Sequence, residues 1–370
     1  LRAWSETMQV SVIRNREELS RLEQSWRELV QSMERAEVYD TWEWMESYLK
    51  HKFNKDHRLF MIAVTDQGRC VAIAPLCIAK QKIKWFTVRS LQFIVFGTGE
   101  SGSFLLHKDY NYSRLVREIS DCLREHRKEW DWMNLYNIHS FHPVTGLIQQ
   151  FFGEWAEIFA RPRSFSPYIN LELYNHHKLA NSRIKAIERK ERKLRREHEV
   201  ELDIHVPYDD AIWKGFTDLH KLRWEHSLFR DSGTESFYKD IIQAFHAKDQ
   251  THFSYLKIDG DMAAVWMTFY YNDKLYMYLT AFSKQYAEYG ASLVLVNRMM
   301  EFYTMQGIRE IDFMQGAQEY KFYWSDTARI HYHIRLISKD FGSKLLRTYS
   351  FLQMNKDTLK SLLSKNSRTG

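Results

Sequence analysis

Residues 276–326 read YMYLTAFSKQYAEYGASLVLVNRMMEFYTMQGIREIDFMQGAQEYKFYWSD, and the reading of this stretch decides the fold. Residues 276–282 are aromatic-rich and of strand length. A polar run, 283–289, breaks the strand. Over 291–306 the apolar residues Leu293, Val296, Met300 and Tyr303 recur at helical spacing, and Gly307 marks a helix stop. Residues 308–314 return to extended chain and end at Gln315-Gly316. Strand, loop, helix and return strand specify a parallel unit whose loops gather at one sheet edge. A site is expected at that edge.

Outward from this stretch, the second half begins with a hairpin, 252–258 and 262–270, about Asp259-Gly260-Asp261. The first half repeats the order. It has a hairpin over 59–64 and 70–78, a polar excursion from Lys80 to Trp85, and a strand over 88–96. The glycine-dense Gly97-Thr98-Gly99 loop, a helix over 112–128 and a strand over 132–138 follow. An offset of roughly 180 to 190 residues predicts two copies of one fold. The fold class is therefore α/β, as two tandem domains with mixed sheets flanked by helices. The expected bounds are 1–160, 161–340 and a helical tail over 341–370. Arg161-Pro162-Arg163-Ser164-Phe165-Ser166-Pro167 holds two of the five prolines and suits the crossing between domains. Near the start, helices are expected over 15–32, and over 39–50 with Trp42, Met45 and Leu49 together.

Composition narrows the function classes. A chain of 370 residues can build two cores. Its three cysteines, Cys70, Cys77 and Cys122, show no metal spacing and read as reduced thiols. No run approaches the roughly 20 apolar residues of a membrane span, and residues 1–19 lack a signal-peptide core. The expectation is a soluble cytoplasmic protein. The net charge of +6 is local: residues 178–198 hold nine Lys or Arg against three Glu. In that basic helix Ala180, Ile184, Ile187 and Leu194 fall in line as a packing face. Its other faces suit solvent, an RNA surface or an anionic polymer. Neither His176-His177 nor His331-Tyr332-His333 has zinc-site spacing, so no metal is expected.

Side-chain chemistry concentrates near residue 312. Asp312 stands between Ile311 and Phe313 at a strand end, where a carboxylate can order an amine or act as its base. Lys321, past the Gly316 turn, can stabilise an oxyanion or a departing thiolate, and Tyr320 beside it can donate a proton. The same Asp312 and Lys321 would equally serve as an ion pair holding the Gly316 loop. Gly290, Ala291 and Ser292 open a helix, which either receives an anion on its N–H groups or is simply capped. Arg223 lies just off the apolar stripe of Trp213, Phe216, His220 and Trp224, within reach of a phosphate or carboxylate. Trp324 suits either core packing or a pocket wall.

IDFMQGAQEYKFYW, over 311–324, resembles the "fDf..G...YK..w" signature of the acetyltransferase-like proteins often labelled CelD/BcsL, within the GNAT (Gcn5-related N-acetyltransferase) superfamily. The resemblance runs roughly over 179–324 and takes in ERKERKLRREHEVEL, Leu219, Arg223-Trp224, Asp259-Gly260 and Ala264. It implies duplicated GNAT folds and an N-acyltransferase that moves an acyl group from acetyl-CoA or another acyl-CoA to an amine, such as an amino sugar or amino acid. It also implies a link to polysaccharide or cell-envelope biosynthesis. Asp312, Tyr320 and Lys321 are the implied catalytic group; Arg223, Trp224, Gly316 and Trp324 would line the acceptor side. The family's pyrophosphate loop, Q/R-x-x-G-x-G/A, matches Gln285 to Gly290 at its ends, with Ala291 and Ser292 following and Glu288 in place of the first glycine. The first domain lacks the Asp–Tyr–Lys group and is expected to be degenerate, with Gly97-Thr98-Gly99 where a donor loop would stand. The fold is similar to that of the Fem peptidyltransferases, which use charged tRNA, so tRNA is a second candidate partner. A non-catalytic binding protein is the third reading.

Overall fold

The computed structural model describes residues 8–83, 86–95, 101–172 and 181–355. The Gly97-Thr98-Gly99 loop, His176-His177, Ala180 and the chain after 355 lie outside the described residues. The chain divides into two compact units. One comprises 1–42, 53–164 and 330–370; the other comprises 43–52 and 165–329. The division places residues 43–52 with the second unit and 330–370 with the first.

In the first unit Met61–Asp66 and Arg69–Ala74 form a hairpin turned by Gln67 and Gly68, both at positive φ. Pro75 interrupts the second of these strands, and Leu76–Ile83 continues in a different sheet. There it pairs with His57–Leu59 and with Phe86–Phe93. Residues 80–83, read in sequence as a polar excursion, are therefore strand. Their alternating exposure reflects a sheet end with one face open. Phe86–Phe93 runs parallel to Trp132–His139, with the helix Tyr112–Glu125 between them in sequence. The core holds Phe60, Ile62, Leu91, Leu115, Ile119, Leu135, Phe152 and Leu336, all fully buried. Lys344–Met354, the expected tail helix, packs Leu346, Tyr349 and Met354 on Val88, Trp132 and Ile337.

The second unit repeats the strand, helix, parallel-strand order. Val200–Pro207, Thr251–Ile258, Asp261–Tyr271 and Lys274–Phe282 are successive antiparallel neighbours. Lys274–Phe282 is parallel to Glu310–Asp312, which pairs in turn with the end of Ala156–Asn170. Helices cover both faces. On one, Ala291–Met305 buries Val294, Leu295, Met299 and Tyr303 against Leu256, Trp266, Leu275 and Ile311. On the other, Asp210–Arg223 and Ser232–His246 bury Phe216, Phe229, Phe237 and Phe245. Trp44 enters this second layer edge-on to Phe237, Phe269 and Tyr278, with centroids 5.5–5.9 Å away. Such contacts add to burial of a side chain that is itself fully enclosed.

Candidate active site

The parallel pairing at the centre of the second unit is short. Lys274, Leu275 and Tyr276 face Glu310, Ile311 and Asp312, and there the ladder ends. The longer strand continues its pairing with Asp261–Tyr271 on its other edge as far as Phe282. Six further residues carry it roughly 20 Å past the point of parting. Tyr278, Leu279 and Thr280 are half-buried along that length, whereas Leu275 to Met277 are buried. Two parallel strands that part in this way leave a slot open at their C-terminal ends.

The loop after Phe282 closes one end of the slot. Gly290 adopts φ +62°, ψ +40°, a left-handed conformation, and starts Ala291–Met305 with no side-chain cap. Ser292 is the second residue of the helix, and Gly290 is its N-cap, so of the two residues read as capping it is the glycine that does so. The Leu293 and Val294 N–H groups donate to the Gly290 carbonyl at 2.8 and 3.0 Å, ahead of them stand the N–H groups of Ala291 and Ser292, and such a terminus stabilises an anion by about 0.3–1 kcal/mol at an exposed site. Gln285 is exposed, with its amide on the Tyr286 hydroxyl at 3.3 Å.

The basic helix, Asn181–Glu197, frames this terminus. Ile187 and Leu194 are buried against the core beside the partly buried Ile184, as their spacing predicts. Glu191, 2% exposed, pairs with Arg298 at 2.9 Å and with Arg195 at 3.0 Å, fastening the basic helix to Ala291–Met305. A Cβ on Gly290 would lie 3.3 Å from Lys190 Cδ and 3.5 Å from its Nζ. Glu288 is held 2.9 Å from Lys193 Nζ, and that hydrogen bond raises the lysine pKa above its usual value. The carboxylate that interrupts the loop motif is therefore matched by a cation.

On the Glu310–Asp312 side, Asp312 and Lys321 have partners other than the mutual ion pair read as one option in sequence. The Asp312 carboxylate lies 2.9 Å from Lys274 Nζ and 3.1 Å from Arg329 Nη1, and it accepts from the Met314 N–H at 2.8 Å. Arg329 stacks on Tyr168 at 3.8 Å, and Lys274 lies over Tyr276 at 4.4 Å. Lys321 is buried and donates to the carbonyls of Met314 (3.0 Å) and Gln315 (2.8 Å), pinning the turn from inside. Gly316 has φ +118°, where a side chain would be strained, and donates to Phe165 O. Tyr320 is half-buried, and burial pushes its phenol pKa up, which keeps the hydroxyl protonated at neutral pH. Trp324 is 2% exposed and stacks on Phe313 at 6.3 Å, so it lies in the core rather than on a pocket wall.

Arg223 and Trp224 meet Phe282 at the loop end of the slot. The guanidinium lies 4.7 Å from the Phe282 ring, and Trp224 meets that ring edge-on at 6.1 Å. Arg223 Nε is buried and lacks a hydrogen-bond partner. The sequence-predicted residues thus fall into three groups. Arg223 and Trp224 meet Phe282 at the strand's end; Gln285, Gly290, Ala291 and Ser292 stand on the following loop and helix start, on the other face of the sheet; Asp312, Gly316, Tyr320, Lys321 and Trp324 gather at and after the short return strand. Sequence reasoning missed Lys274 and Arg329, because only strand register brings them to Asp312. It flagged Lys190 and Lys193 merely as members of a charged helix.

Residues 181–322 match the family model described as Acetyltransferase (GNAT) domain. No curated protein matches the sequence significantly. Among solved structures, FemX superposes with a TM-score of 0.54 at 13% identity, covering 84% of this chain and 95% of that one. A conserved protein of unknown function from Bacteroides thetaiotaomicron does so with a TM-score of 0.52 at 10% identity, covering 86% and 97%. At such identities the likeness shows the fold alone. The chain has the α/β fold of mixed sheets flanked by helices, and its residues 181–322 are similar to the acetyltransferase (GNAT) domain.

Proposed function

We propose that this protein is an N-acyltransferase of the CelD/BcsL-like kind, moving an acyl group from acyl-CoA to the amine of an amino sugar or amino acid. The parting of Lys274–Phe282 from Glu310–Asp312, with a helix terminus that has no side-chain cap at its end, carries this reading. The donor's phosphates lie at Gly290, Ala291 and Ser292, with Lys190 beside them and Gln285 at the loop's start. Its extended arm runs down the slot along residues 277–282. The amine nitrogen attacks the thioester carbonyl carbon, the C–S bond breaks, Tyr320 gives its proton to the departing thiolate, and the proton that the nitrogen sheds on becoming an amide returns through solvent to the Tyr320 phenolate. Asp312, held between two cations, is a positioning residue: it fixes the strand end from which the 314–316 turn departs. Lys321 and Gly316 shape that turn, and Arg223 with Trp224 binds the acceptor or the donor's carboxamide stretch.

A role in polysaccharide or cell-envelope biosynthesis and a cytoplasmic location belong to the same reading. Among the described residues, no helix is long and apolar enough to cross a membrane. The test is release of free coenzyme A thiol from acetyl-CoA or a longer acyl-CoA in the presence of glucosamine and of free amino acids. Tyr320→Phe should lower kcat about 100-fold. Turnover equal to that of the parent would remove Tyr320 as the proton donor.

A second reading, aminoacyl transfer from charged tRNA, is favoured by one observation. The basic helix docks beside the donor loop and turns Lys190 and Lys193 toward it. Retention of a charged tRNA, with no acyl-CoA binding, would select this reading.

A further inference from the structure

Two segments far apart in sequence build one apolar and basic surface on the first unit. Leu76–Ile83 and Phe86–Phe93 stay paired out to Ile83 opposite Phe86, and the helix Lys344–Met354 lies against that end of the ladder. Ile83, Leu346, Tyr349 and Met354 pack together on Val88, Trp132 and Ile337. The Tyr349 ring stacks on Trp132 at 6.3 Å and meets Phe86 edge-on at 6.0 Å.

That packing uses only one side of the helix. Leu345 and Leu352 stand four residues before and three after Tyr349, so they neighbour it on the helix surface. They are nevertheless 84% and 52% exposed, Phe351 is 52% exposed, and Phe86 beside Tyr349 is 40% exposed. Single exposed apolar residues are ordinary, but four that adjoin across a helix and a hairpin form a patch. In sequence the same spacing continues to Leu359, Leu362 and Leu363.

The charge around this patch has one sign. Residues 80–89 contain Lys80, Lys82, Lys84 and Arg89 and no acidic residue, and residues 344–370 contain six Lys or Arg against Asp357 alone. Arg89 is matched by Asp131 and Arg347 by Glu157. Lys80, Lys82 and Lys344 are exposed and have no carboxylate partner among the described residues.

We propose that this face docks on an anionic lipid bilayer. Lys80, Lys82 and Lys344 meet headgroup phosphates, while Leu345, Leu352 and Phe86 enter the boundary of the acyl chains. Nucleic acid would meet the same lysines, but exposed leucines offer no planar face on which bases stack. A second copy of the chain would bring two surfaces of like charge together. The seven-residue series Leu345, Leu352 and Leu359 also has Thr348 and Asn355 at its intermediate positions, where a coiled-coil seam wants apolar residues. Docking of this face is independent of acyl transfer in the second unit.

The test is flotation of the intact protein with vesicles of phosphatidylcholine alone and of phosphatidylcholine mixed with phosphatidylglycerol, at about 0.1 and 0.5 M salt. Binding is expected to the anionic vesicles only, falling at least about tenfold at the higher salt. Leu345→Glu should weaken it at least about tenfold, and so should Lys80→Gln combined with Lys82→Gln. These side chains are exposed, so thermal unfolding of the variants should match that of the parent. Met305→Glu alters a 77% exposed side chain of the second unit and should bind as the parent does. No binding of the parent to anionic vesicles would overturn the proposal, as would equal binding to both kinds of vesicle. Equal binding by the parent and Leu345→Glu would overturn it too. Self-association lost in Leu345→Glu, or retention of single-stranded RNA, with no lipid binding in either case, would give the face to a second copy or to nucleic acid instead.

Discussion

Glu288 Oε2 stands 2.9 Å from Lys193 Nζ, inside the hydrogen-bonded turn Ala287–Tyr289 that ends in Gly290. A carboxylate in a phosphate-binding loop would repel its ligand if left alone. Matched to Lys193, it contributes little net charge to the helix terminus. Lys193→Ala should therefore weaken acyl-CoA binding by about three- to tenfold, and Glu288→Gly should leave it within about threefold of the parent. Titration of both variants checks this. A Glu288→Gly gain of a hundredfold or more would show that the carboxylate closes the site.

Gly290 combines a left-handed φ with close approach of Lys190. Gly290→Ala should cost about 1–2 kcal/mol of stability from backbone strain, and it should weaken donor binding as well. Urea denaturation of the variant measures the first effect, and unchanged stability would contradict the assigned backbone conformation.

Asp312 answers a different question. Its carboxylate is buried between Lys274 and Arg329, and removing its charge leaves Glu310 to face both cations. Asp312→Asn should destabilise the protein by about 3 kcal/mol, a loss visible in thermal unfolding before any kinetics are measured. A variant of parental stability that had lost turnover would instead place Asp312 in direct contact with the reacting atoms.

His333 gives the first unit a pH dependence. It is 3% exposed and stacked on Tyr136 at 4.0 Å; burial, with Arg335 nearby, pushes its pKa down to about 3. The unfolded chain would bind this proton near pH 6.5, so folding excludes it. The stabilising contribution is complete above pH 6.5 and is lost progressively as pH falls toward 3. The loss approaches about 1.4 kcal/mol per pH unit within that window. Denaturation curves at pH 7, 5.5 and 4 should show the trend, and His333→Gln should flatten it.

Periodicity made much of this architecture legible. The strand at 276, the helix at 291 and the parallel return at 308 lie close to where apolar spacing puts them, although the return strand shortens to Glu310–Asp312. That shortening is a tertiary effect: Met314 turns to φ +62° and Lys321 binds the carbonyls that would otherwise continue the ladder. Pro75 likewise sends one strand into two sheets, which no local pattern announces. The candidate site was legible as residue types and not as partnerships. Asp312 stood out, while its cations Lys274 and Arg329 come from opposite directions along the chain and meet it only through register.

The most direct test of the acyltransferase account is isothermal titration of the intact protein with acetyl-CoA and with a longer acyl-CoA. Saturable micromolar binding is predicted, weakened by Gly290→Ala and by Lys193→Ala. Absence of binding by both the parent and Glu288→Gly would contradict the account and leave the slot without its donor.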